Sequence, residues 1–147
     1  MVQKPSTKIF KSKYSTLPGS NHDEVIRRAH REHNAIKRRT KRQPYVRSRY
    51  FNKDKIFLNI FWNHLVQKRR GEQTARAKLY LCAIDLLRNT PHDPESIFSY
   101  ERPNEILHRF FGNTSDGIMF YVQVRQNKKT GRKDFMSVFP AKVKKNK

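Results

Sequence analysis

The feature that most constrains this chain is its charge. Its 147 residues carry 33 Lys and Arg against 12 Asp and Glu, a formal net charge of +21. Self-repulsion of that size opposes a compact state, so a counter-charged partner is expected, with RNA, DNA or an acidic surface as the candidates. The charge is uneven. Residues 1–53 hold 15 cations and 3 acids, a net of +12, and residues 54–147 hold 18 and 9, a net of +9. Hydrophobic residues make up 35% of the chain, too few for a core that involves all of it. Ten phenylalanines nevertheless argue against disorder throughout. These facts predict three parts: a basic, partly disordered N-terminal extension with one helix over 1–53, an α+β domain over 54–140, and a basic tail over 141–147.

Several classes fall away. No apolar run approaches the roughly 18 residues of a membrane-spanning helix. Residues 1–20 lack the apolar centre of a secretory signal, and they are Lys-rich rather than Arg-rich, unlike a typical transit peptide. One cysteine, Cys82, excludes an internal disulfide and a Cys-rich zinc site. A cytoplasmic location and no cofactor are the resulting expectations.

Local patterning orders the elements. Residues 1–21, with Pro5, Pro18 and Gly19, read as disordered. Residues 22–42 read as a helix with Asp23 and Glu24 in its first turn and a Lys/Arg cluster in its last, as the helix dipole favours. Its apolar stripe of Val25, Ile26, Ala29, Ala35 and Ile36 is thin, which predicts weak docking. After Pro44, residues 45–53 alternate aromatics and cations and read as extended. Ile56, Phe57, Ile60, Phe61, His64 and Leu65 predict a helix over 54–70, and Leu79, Cys82, Ala83, Leu86 and Leu87 one over 72–89. Residues 91–104 read as loop. Strands are expected at 105–111, 118–126 and 133–139, with turns at 113–117 and 127–131. The expected fold is α+β, with helices packed on one face of a small antiparallel sheet and a basic N-terminal extension.

The chemistry-bearing residues are few. His30 and His33, spaced i, i+3, lack an evident third ligand for zinc, so no metal site is expected. There is no P-loop and no G-x-S-x-G elbow. Cys82 falls on the apolar face of its helix and reads as a small core residue. Metal-free RNA cleavage needs a base for the 2′-hydroxyl, an acid for the leaving 5′-oxygen and cations for the phosphorane charge. His64, Arg69, His108, Arg109, Thr114, Lys133 and Ser137 supply those types. Each has a structural alternative. His64 falls on an apolar helix face, Arg69 suits a helix end, His108 and Arg109 suit an edge strand, and Ser137 sits between Phe135 and Phe139 as a small packing residue.

The segments NHLVQKRRGEQTARAKLYLCAIDLL and HRFFGNTSDGIMFYVQVRQNKKTGRKDFMSVFP follow one another as helices and then strands. Residues 55–139 in this respect resemble the barnase/EndoU/colicin/RelE-like group of small ribonucleases, particularly its phage- and plasmid-borne members. The resemblance implies two helices before an antiparallel sheet and a metal-independent ribonuclease site. It implies catalytic roles for Ser137, for Arg109 or His108, and for His64 or Arg69. The sheet has one strand fewer than that group usually shows. An acidic antitoxin or immunity protein would be a natural partner.

The run RRAHREHNAIKRRTKRQPYVRSRY supports a second expectation, a non-enzymatic nucleic-acid-binding accessory protein. Arg27, Arg28, Arg31, Arg38, Arg39, Arg42, Arg47, Arg49 and Lys133 would meet phosphates, with Tyr45, Tyr50 and Phe51 near enough to stack on bases. No zinc-finger, RRM or zipper signature accompanies it.

Overall fold

A computed structural model describes residues 8–141; the expected 142–147 part of the tail, and residues 1–7, lie outside the described residues. The chain is α+β, with four helices and a seven-stranded sheet. The order is β1 (Phe10–Lys11), α1 (His22–Arg39), β2 (Tyr45–Ser48), β3 (Asp54–Phe57), α2 (Asn59–Leu65), α3 (Arg70–Ala77), α4 (Tyr80–Asn89), β4 (Glu95–Phe98), β5 (Glu105–Asn113), β6 (Met119–Asn127) and β7 (Lys133–Pro140).

The sheet runs β1-β5-β6-β7-β3-β2, and β4 pairs with the other half of the β5 edge. It is mixed, which corrects the expectation of an antiparallel sheet. β1 pairs with β5 and β3 with β7 in parallel, and the remaining pairs are antiparallel. The parallel β3–β7 pair follows from the chain path, because three helices and three strands separate the two in sequence and the returning chain can enter from either end.

Period-two alternation decides the two faces of the central strands. Phe110, Phe120, Val122, Val124, Phe135 and Val138 are buried. Their neighbours Arg109, Phe111, Tyr121, Gln123, Ser137 and Phe139 are half-buried. A bulge between Gln123 and Val124 sets Gln123 opposite Ser137 and Val124 opposite Phe135. The buried side meets α2 through Phe61, whose ring stacks on Phe135 at 4.6 Å. Gly112 admits nothing larger, since a Cβ there would lie 2.6 Å from the Phe120 ring.

Two further corrections concern the first half of the chain. Residues 54–57 are strand rather than helix. Their register against β2 and β7 sets Ile56 into the core and Lys55 outside, and this tertiary pairing overrides helical spacing. Within residues 8–21, expected to be disordered, β1 extends the sheet, and the carboxylate of the buried Asp85 accepts hydrogen bonds from Ser12 Oγ at 2.8 Å and the Lys13 amide at 3.1 Å. The single acid on an otherwise apolar helix thus ties down a strand that composition alone did not reveal. The helix at 22–42 ends at Arg39, and its thin stripe is sufficient: Val25 and Ala29 are fully buried and Ile36 nearly so. Val46 joins the same core. Residues 95–98, expected as loop, are the exposed strand β4. No helix among the described residues is long and apolar enough to cross a membrane.

Candidate nucleic-acid interface

Helix α1 is built to end in cations. Asn21 caps its start, accepting the Glu24 amide at 3.2 Å. Asp23 and Glu24 occupy the first turn and Lys37, Arg38 and Arg39 the last, each end complementing the helix dipole. The chain then passes through Lys41 and Arg42 into β2 and turns back as β3. Alternation buries Val46, Ser48 and Ile56 and leaves Tyr45, Arg47, Lys55 and Phe57 on the other side, with Tyr45 opposite Phe57 and Arg47 opposite Lys55.

These elements enclose an open groove of about 700 Å³ lined by Arg39, Lys41, Arg42, Gln43, Tyr45, Lys55, Phe57 and Arg132. Five of the eight are cations and none is an acid. Arg132 is the only one of the five that makes an ion pair among the described residues, with Asp134 at 3.2 Å; it also donates to Gln43 Oε1 at 2.7 Å. The aromatic rings pack edge to face at 6.0 Å. Lys55 lies 4.7 Å over Tyr45 and Arg132 4.1 Å over Phe57. Each ring is thus already occupied by a cation at an exposed site, an interaction of about 0.5–1 kcal/mol. A base stacked on an aromatic ring is worth about 1–3 kcal/mol. A single strand therefore gains by exchange, with the bases taking the rings and the phosphates taking the displaced cations.

The other predicted phosphate contacts are spread out. Arg47 and Arg49 line a neighbouring depression with Ser48, Asn52, Lys53 and Arg88, again without an acid. Asn52 and Lys53 there have φ of 57° and 66°, the left-handed geometry of this tight hairpin. Arg27, Arg28 and Arg31 border a separate depression that also holds Asp23 and Glu24, and Arg28 is paired with Glu24 at 2.7 Å. Arg38 is exposed outside the groove. Lys133 is buried, its ammonium 2.6 Å from Asp54 and 4.9 Å from the Phe51 ring. That contact holds the Asp54 carboxyl below its ordinary range.

The candidate catalytic residues separate into three places. Arg109 and Ser137 lie in one cross-strand row with Gln123 between them. Ser137 Oγ donates to Gln123 Oε1 at 3.4 Å, and the Arg109 guanidinium lies 5.0 Å over Tyr121, with its Nε buried and unpartnered. His108 is on the opposite side of the same strand and buried. Its Nδ1 meets Ser96 Oγ at 2.8 Å and its Nε2 meets Gln126 Oε1 at 2.7 Å. Burial pushes its pKa down, with the nearby Lys133 adding to the effect. His64 is half-buried on α2, and Arg69 is exposed at the start of α3. Thr114 accepts the Ile118 amide within the β5–β6 turn. Cys82 is fully buried, and burial raises its thiol to about 11.

His30 and His33 serve an aromatic cluster. The His30 ring stacks on Trp62 at 3.9 Å, and His33 Nδ1 meets the Tyr80 hydroxyl at 3.0 Å. Burial, with the neighbouring His30 and Lys37 charges, lowers His33 to about 4. No group of three or more His, Cys, Asp or Glu suited to a metal occurs among the described residues.

Lys55, Phe57 and Arg132 are the groove residues that sequence reasoning missed. The signal was present in the alternation of residues 54–57 opposite that of residues 45–48, across the RYFNK turn. Comparison with protein-family models, with curated proteins and with solved structures returns no match for this chain.

Proposed function

We propose that this chain is a nucleic-acid-binding protein that holds single-stranded RNA or DNA in the groove between the end of α1 and the β2–β3 hairpin. The observation that carries the proposal is the acid-free lining of five cations around two accessible aromatic rings. Phosphate contacts supply sequence-independent affinity, and stacking on Tyr45 and Phe57 favours unpaired over paired strands. The test is fluorescence anisotropy with labelled single-stranded and duplex oligonucleotides across a salt series. Binding that weakens steeply with salt and prefers single strands supports the reading. Binding that is absent, or insensitive to salt, removes it.

A metal-independent endoribonuclease yielding 2′,3′-cyclic phosphate ends is the second reading. It rests on the row formed by Arg109, Gln123 and Ser137, which joins a hydroxyl to a phosphate-matching cation. Incubation with RNA in EDTA followed by end-group analysis tests it, with Ser137→Ala and Arg109→Ala as variants expected to abolish cleavage.

A further inference from the structure

The sheet has two unlike ends. On one, β4 pairs only with β5, and all four of its residues are exposed. Ile97 and Phe98 are 41% and 64% exposed, and Tyr100 beyond them is fully so. Residues 93–105 hold four acids, Asp93, Glu95, Glu101 and Glu105, against one cation, Arg102, in a chain of net +21. On the other end, β2 pairs only with β3, and residues 41–55 hold six cations against one acid. A bare strand edge with exposed apolar residues is a template for another strand.

The registers show how the ends would meet. One cross-strand row runs Ile97, Leu107, Arg125, Asp134, Phe57, Tyr45, and so begins on the β4 edge and finishes on the β2 edge. Both edge strands are four residues long. Antiparallel joining that preserves the side alternation sets Ile97 against Tyr45 and Glu95 against Arg47. Self-pairing of two β4 edges would instead bring Asp93, Glu95 and Glu101 against their own copies.

We infer that copies of this chain join head to tail, the β4 edge of one against the β2 edge of the next, when gathered on a nucleic acid. The inference rests on the binding reading for its setting only. Two different patches meet, so the contact does not close on itself and propagates as an open array. The polyanion offsets the mutual repulsion of the copies and makes binding cooperative along a strand.

Cysteine pairing tests the seam. Opposed residues in an antiparallel pair have Cα atoms about 4.5–5.5 Å apart, within disulfide reach, and Cys82 is buried. Glu95→Cys chains and Arg47→Cys chains are oxidised separately and mixed, with and without poly(U), and read on a non-reducing gel. A covalent pair that forms only in the mixture is expected. A pair formed by Glu95→Cys alone, or none in any tube, overturns the seam. The two readings fail separately: RNA binding without cross-linking leaves only the groove, and cross-linking without RNA binding leaves only the seam. Ile97→Asp supplies an independent check. It should abolish cooperativity on long poly(U) while leaving affinity for a strand of about eight nucleotides, within a single-site length, unchanged. Retained cooperativity contradicts the inference.

Discussion

Removing two groove cations, Arg42→Ala with Lys55→Ala, should change the salt dependence of binding by a calculable amount. Both side chains are exposed and make no ion pair among the described residues, so the fold should be unaffected. Four groove cations, Arg39, Lys41, Arg42 and Lys55, are uncommitted in this sense, whereas Arg132 is tied to Asp134. Each phosphate contact to a single strand contributes about −0.7 to the slope of log K against log salt. Four contacts give about −2.8, and the double variant about −1.4. Between 50 and 200 mM salt the wild type should then weaken about 50-fold and the variant about 7-fold. At 150 mM the variant should bind about 15-fold more weakly. Anisotropy titrations at four salt concentrations measure both quantities, with circular dichroism as the check on folding. A variant with the wild-type slope would refute the assignment of phosphate contacts to this groove.

Other consequences follow from the same geometry. His33 has a folded pKa of about 4, below its ordinary 6.5, so the unfolded chain binds the extra proton first and stability falls as pH drops from about 6.5 to 4; thermal melts of the wild type should show this loss, and His33→Gln should lack that part of it. Gly112→Ala places a Cβ 2.6 Å from the Phe120 ring and should cost about 1–3 kcal/mol by overpacking, read by urea unfolding. RNA incubated with the protein in EDTA should remain intact; discrete fragments with cyclic phosphate ends would favour the ribonuclease reading.

Legibility in the sequence tracked the range of the forces involved. The strands at 105–113, 119–127 and 133–140 declare themselves through alternation, because one side of each is buried. The 54–57 strand did not, since Ile56, Phe57, Ile60 and Phe61 also fit helical spacing, and only the distant partner at 133–134 decides between the two. β1 and β4 carry almost no local pattern; β1 is two residues long, and β4 is exposed throughout. The cations were visible as composition, but their grouping was not. Arg132 is far in sequence from Arg42 and shares its groove through the β3–β7 pair. Burial of His108 opposite Arg109 was implicit in their being adjacent residues of one strand, once 105–111 is read as strand.

The central claim is that a nucleic-acid strand lies against Tyr45 and Phe57. Ultraviolet cross-linking of the protein to single-stranded poly(U), followed by peptide mass spectrometry, tests it directly. The account predicts adducts within residues 45–57, led by Tyr45 and Phe57. Adducts confined to Phe111, Tyr121 or Phe139 would contradict it and move the interface to the row beside Arg109 and Ser137.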